Sequence, residues 1–207
     1  MEFVTAGTAP VTEADVFVLA AGVIERVAST ESPQPNLAVV RIPKTALDLA
    51  TADFVLVADR VADPGNLGTI LRSAEAAGVD GVVLTAGSVD PFNPKVVRAS
   101  AGALFRVPVL DATLESVHAA GLRTIGTSSH RGSAHTDADL TGRIALVVGN
   151  EARGLPDDAD VDEWVTIRHR GRAESLNVAM AATVLCFEAS RQRGSVDDAD
   201  TANRLTP

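Results

Sequence analysis

Ile144-Ala-Leu-Val-Val-Gly-Asn-Glu-Ala-Arg-Gly-Leu155 decides the fold: five apolar residues, Ile144–Val148, stop abruptly at a glycine-flanked polar loop. An unbroken apolar run of that length predicts a strand buried on both faces, as in a parallel sheet. The pattern recurs outward. Phe54–Ala58 is a second such run, and apolar residues at helical spacing follow it over 66–77, closed by Gly78. Strands are predicted at 82–84, 106–110, Arg123–Thr127 and 164–167. Helices are predicted at 93–101 with Pro94 in the first turn, at 114–120, and from Ser175 to Arg191. Alternating strand and helix implies an α/β fold, a mainly parallel sheet with helices on both faces.

Polar residues sit where these runs end, which is where open α/β sheets place ligands. Asp63-Pro-Gly-Asn-Leu-Gly-Thr-Ile-Leu-Arg72 is turn chemistry with Asn66 as a natural helix cap, yet it also carries Arg72 amid Ile70 and Leu71, where an arginine needs a carboxylate or phosphate. Glu151 stands at the mouth of the 144–148 strand, either as a solvated turn residue or as part of a site. Gly149 is expected to admit a ligand close to the backbone, and Gly154 to free the loop. In Glu174-Ser-Leu-Asn-Val178, Ser175 is either a plain helix cap or a site residue, and Asn177 lies in a first turn suited to an anion or polar edge.

The chain has 207 residues, 46% hydrophobic and 22% charged, with 3% aromatics, so its core rests on Val, Leu, Ala and Ile. Residues 1–50 are expected to form a short extension or reduced substrate-recognition region, with strands at Val16–Leu19 and 37–40. Residues 51–193 form the main domain, and 194–207 a flexible acidic tail. The single cysteine, Cys186, excludes an internal disulfide and reads as a buried structural thiol. Neither a membrane span nor a basic leader is evident, so a cytoplasmic location is expected. His118, His130, His135 and His169 lack metal-ligand spacing and read as solvated loop residues; no metal is expected. G-x-G-x-x-G, Walker and H-E-x-x-H patterns are missing. The net charge of −9 runs against a basic nucleic-acid footprint, but arginines gather around the three polar segments while acid collects elsewhere.

The order and spacing of those three segments resemble the three motifs of the SpoU/TrmH branch of the SPOUT methyltransferases, over about residues 54–192. The resemblance implies an α/β fold with a C-terminal trefoil knot that binds S-adenosylmethionine. It implies methylation of a ribose 2′-hydroxyl in tRNA or rRNA by a homodimer with its site at the interface. Carried across, Asn66 and Arg72 match the first motif, Glu151 the second, and Ser175 and Asn177 the third, with Arg72 as the catalytic arginine. Thr127, Gly149, Ile167 and Leu176 match the cofactor-binding positions. The family role of Arg72 is a base assisted by a substrate phosphate; its chemistry alone suggests a phosphate clamp.

Two departures stand out. Arg168-His169-Arg170 replaces the family's apolar or proline-containing stretch, and residues 1–50 are too short for a full recognition domain. They keep open a small-molecule substrate for the same fold and, from another class, a non-catalytic SAM- or RNA-binding protein.

Overall fold

The apolar runs become the middle of a seven-stranded sheet in a computed structural model that describes residues 1–28, 32–42 and 46–204, with side chains to residue 194. The chain divides into two compact units, Met1–Lys44 and Thr45–Pro207.

In the first unit, β1 (Glu2–Thr5) pairs parallel with β2 (Val16–Leu19), which α1 (Val23–Val27) follows, and antiparallel with β3 (Asn36–Ala38). The sequence does not announce β1, because Glu2 interrupts its apolar pattern. Glu2 is nevertheless buried, and its carboxylate accepts hydrogen bonds from the Thr12 hydroxyl, the Val11 and Thr12 N–H groups and the Asn36 amide.

The second unit runs β4 (Phe54–Ala58), α2 (Pro64–Ala76), β5 (Gly81–Leu84), α3 (Pro94–Ala99), β6 (Val109–Asp111), α4 (Leu114–Ala119), β7 (Arg123–Thr127), β8 (Ser133–Ala134), β9 (Ile144–Val148), β10 (Glu163–Thr166) and α5 (Val178–Arg204). The strand order is β6-β5-β4-β9-β7-β10-β8, and every neighbouring pair is parallel. From β4 the chain steps outward to β6, then crosses to build the other half. The order therefore reverses between β4 and β9, and the carboxyl ends of those strands flank a switch point.

All residues of β4 and β9 are buried, as their unbroken apolar sequences require. Leu56, Leu146 and Val165 face Ile70, Leu71 and Leu185 on one side; Val55, Val57 and Val147 face Val117 and Leu122 on the other. Cys186 is buried in the first cluster, and burial pushes its thiol up to about 12, so it is a packing residue.

Several helix ends differ from expectation. Asp63, not Asn66, caps α2, its carboxylate accepting the Asn66 N–H at 2.8 Å with Pro64 in the first turn. The longest helix starts at Val178 rather than Ser175, because Asn177 provides the cap to the Ala179 and Met180 N–H groups. Its backbone runs to Arg204. α2 packs closely on α3 through Gly68, where a Cβ would lie 2.3 Å from that of Ala99. A Ser73–Thr183 hydroxyl hydrogen bond of 2.6 Å ties α2 to α5.

Candidate functional site

The loops leaving the carboxyl ends of β7, β9 and β10, three adjacent parallel strands, converge beside the start of α5. The loop after β9 folds back on itself, with the Gly154 N–H donating to the Asn150 carbonyl at 2.8 Å. Gly154 sits at φ +64°, and a Cβ on Gly149 would lie 2.3 Å from the Gly154 carbonyl carbon. Gly149 is thus required by the loop's own return, whatever ligand approaches it.

That folded loop presents Glu151 to the other two motifs. Oε1 accepts the Asp63 N–H at 2.9 Å and the Asn66 side-chain amide at 3.2 Å; Oε2 accepts the Ala62 N–H at 3.3 Å and the Asn150 amide at 3.2 Å. Asn66 Oδ1 in turn accepts from Asn177 Nδ2 at 2.9 Å, and Asn177 Oδ1 caps α5. One chain of hydrogen bonds, Glu151–Asn66–Asn177, therefore joins three segments far apart in sequence. Partial burial, the largest single influence, favours the protonated acid. The N–H groups of Asp63, Glu151 and Ala62 and the Asn66 amide together outweigh it and lower the pKa of Glu151. A carboxylate so held is a fixed acceptor and a weak base.

Behind this network lies a cleft of about 330 Å³. Thr127, Gly149, Ile167 and Leu176 all line it, together with Ser175 and apolar Leu155 and Leu185. Thr127 ends β7, while Gly149 and Ile167 immediately follow β9 and β10. The main-chain groups of Ile167 and Leu176 enter no hydrogen bond among the described residues. A mixed cleft with apolar Leu155, Ile167, Leu176 and Leu185 and with backbone donors and acceptors unused among the described residues has the chemistry that a purine ring requires, so these residues fit an adenosyl cofactor.

Arg72 stands apart. It is exposed on α2, does not line the cleft, and makes no hydrogen bond or ion pair among the described residues. Of the two partners its sequence setting suggests, a carboxylate is not within reach among the described residues, because Ile70 and Leu71 face the core while Arg72 faces out. Among the histidines, His118 differs from the solvated-loop reading, whereas His130 is an exposed loop residue. His118 lies on α4 with Nε2 2.5 Å from the Thr124 hydroxyl, and His130 and His169 line the cleft. Sequence reasoning overlooked Ser128, Ser129, His130 and Arg153 as cleft residues. Their one available signal was position, just beyond the ends of two apolar strands. Among the described residues no group of three His, Cys, Asp or Glu side chains is placed to hold a metal, and no helix is long and apolar enough to cross a membrane.

Comparison with known proteins places this geometry. The profile of the SpoU rRNA Methylase family matches residues 53–187. The chain is 40% identical over 179 residues to the 23S rRNA (guanosine(2553)-2′-O)-methyltransferase RlmP of Bacillus subtilis, covering 83% of this chain and 71% of that protein. It is 37% identical to the 23S rRNA (uridine(2479)-2′-O)-methyltransferase of Streptomyces viridochromogenes, covering 83% of this chain and 65% of that one. The crystal structure of the SpoU methyltransferase AviRb from S. viridochromogenes, in complex with AdoMet, superposes with a TM-score of 0.79 at 31% identity, covering 94% of this chain and 83% of that chain.

Proposed function

The chain belongs to the SpoU rRNA methylase family, and on that premise we propose that it transfers the methyl group of S-adenosylmethionine to a ribose 2′-hydroxyl of RNA, with ribosomal RNA the favoured substrate. The observation that carries the reading is the Glu151–Asn66–Asn177 hydrogen-bond chain, which joins all three motifs beside a cleft suited to the cofactor. A small-molecule substrate is not favoured by relatives that methylate 23S rRNA.

Ile167 and Leu176 offer free main-chain groups to the adenine edge between apolar walls, with Thr127 and Gly149 at the neighbouring strand ends. When bound, the cofactor supplies an activated methyl on a sulfonium, so the protein's task is alignment and proton removal. Glu151 fixes Asn66 and the start of α2; Asn66 fixes Asn177 and the start of α5. Ser175 lies in the cleft wall as a hydroxyl available to the reacting ribose. Arg72, permanently charged and without a partner among the described residues, holds a substrate phosphate beside the hydroxyl and so positions and polarises it; as the methyl leaves the sulfonium for the oxygen, the hydroxyl proton passes to that phosphate and on to water.

Three finer features belong to the same reading. The segment from β10 into α5 threads a trefoil knot, supported by the convergence of the 127–130, 149–155 and 167–176 segments on one cleft. The active form is a homodimer with its site at the interface: α5 exposes Met180, Val184 and Phe187 at a spacing that puts them on one helix face, an apolar stripe suited to a second copy. The protein works in the cytoplasm, where its RNA is found.

Calorimetric titration with S-adenosylmethionine tests the reading. One site per chain, weakened at least tenfold (roughly 1.4 kcal/mol) by Leu176→Glu, is expected. A folded protein that gives no binding would overturn it.

A further inference from the structure

Arginines in this chain divide into two populations. Arg60 pairs with Asp59, Arg106 with Glu75, Arg123 with Glu163, and Arg131 lies over the Trp164 ring while its guanidinium donates to the Asp157 carbonyl. Arg143 donates to the carbonyls of Leu49, Ala50 and Ala52. By contrast, Arg153, Arg168, Arg170 and Arg172 are exposed and make no hydrogen bond or ion pair among the described residues. In a chain of net charge −9, with 27 acidic residues, four unclaimed arginines in one neighbourhood call for a reason.

Their placement supplies it. Arg168, Arg170 and Arg172 alternate along the loop from β10 to α5, flanking His169, which lines the cleft. His169 Nδ1 donates to the Ala173 carbonyl at 3.1 Å, so the loop closes over 169–173 and carries Arg170 and Arg172 on the closed part. Arg153 lines the cleft from the loop after β9. Of the nearby acids, Asp157 lies 3.8 Å from Arg131, Glu151 is committed to Asn66 and the start of α2, and exposed Glu174 is outnumbered by the four arginines.

We propose that Arg168, Arg170 and Arg172, with Arg153 at the cleft wall, form a phosphate rail that grips the RNA backbone on either side of the target ribose. The inference rests on the RNA-methyltransferase reading above. It explains how an acidic protein with few aromatics engages RNA: a short cationic strip meets the phosphates while the rest of the surface stays negative, which disfavours non-specific adhesion. Guanidinium forks suit phosphate oxygens, and side chains with no internal partner reach them without breaking an existing bond. The rail is a positioning and affinity device; it touches no reacting atom.

The test uses the full chain and an unmethylated 23S rRNA transcript, comparing wild type with the triple variant Arg168→Ala/Arg170→Ala/Arg172→Ala and its all-lysine counterpart. Each lost phosphate contact to single-stranded RNA should flatten the plot of log affinity against log salt by about 0.7, hence about 2 for the triple alanine variant. RNA KM should rise at least about tenfold near physiological salt, while kcat at saturating RNA and S-adenosylmethionine affinity stay within about threefold. The lysine variant should keep most of the slope, which separates charge from loop structure. An unchanged slope and KM in a triple variant that still methylates would overturn the rail alone. Failure of the wild type to bind or methylate the transcript would overturn the parent reading as well.

Discussion

The two ends of the seven-stranded sheet use the same polar residue types to opposite purposes. At the amino ends of the strands, polar groups are claimed by the fold itself. Asp80 accepts the N–H groups of Asp53 and Phe54; Thr124 bonds His118 and Asp162; Arg143 collects three backbone carbonyls. Toward the carboxyl ends Arg60 and Arg131 are paired, but among the described residues Arg153 and the 168–172 arginines, like Arg72 on α2, are unclaimed, and the main chain of Ile167 and Leu176 enters no hydrogen bond. The first end is a bolted seam and the second is a set of open valences. What sets the proposed functional arginines apart is unspent hydrogen-bonding capacity, not residue type.

Substitutions at the two ends should therefore differ in kind. The largest effect is expected from Arg72→Ala at the open end: a loss of about 10³-fold in single-turnover methyl transfer, the scale of removing a transition-state donor, with S-adenosylmethionine affinity nearly unchanged. Near-normal turnover would remove Arg72 from the chemistry. Next comes Glu151→Ala, which releases Asn66 and the start of α2. A small misplacement of the reacting groups should cost about 10²-fold in kcat/KM, measured beside a thermal melt to show that the fold persists. At the bolted end, Arg143→Ala should cost about 2 kcal/mol of stability by denaturant titration while kcat of the folded fraction holds. A selective loss of kcat there would erase the distinction between the two ends.

The smallest effect is a pH dependence. Asp162 has a pKa below its ordinary 3.8, held down first by the Thr124 N–H against the opposing effect of burial, then by the Thr124 hydroxyl and the charges of His118 and Arg123. A depressed native pKa gives stability that is present above the ordinary value and lost as pH falls through the native one. Asp162→Asn should therefore flatten the acid limb of a melting-temperature profile below about pH 4 and leave methyl transfer at neutral pH untouched. Glu2, drawn down to about 2 chiefly by the Thr12 hydroxyl, imposes the same sign on the first unit.

The middle of the fold was legible because burial on both faces leaves one readable mark. Phe54–Ala58 and Ile144–Val148 were unbroken apolar runs, and both became central strands. Edge elements left weaker marks. β8 is two residues long, and β1 begins with a buried glutamate whose partners come from a distant loop and strand. The candidate site residues could be named from order and spacing, but their connections could not. Asn66 looked like a cap and is instead the link between Glu151 and Asn177, separated from them by 85 and 111 positions. Caps were misplaced for a related reason: Asp63 and Asn177 compete with neighbouring polar residues, and backbone geometry decides between them.

Everything at the open end of the sheet serves one proposed reaction, ribose methylation of RNA. Incubation of the protein with methyl-tritiated S-adenosylmethionine and unmethylated total RNA, followed by mild alkali, tests it most directly. Alkali cleaves beside a free 2′-hydroxyl, so label should survive in dinucleotides whose linkage resists hydrolysis. Label confined to alkali-sensitive mononucleotides, or no transfer by a protein that binds the cofactor, would contradict the account.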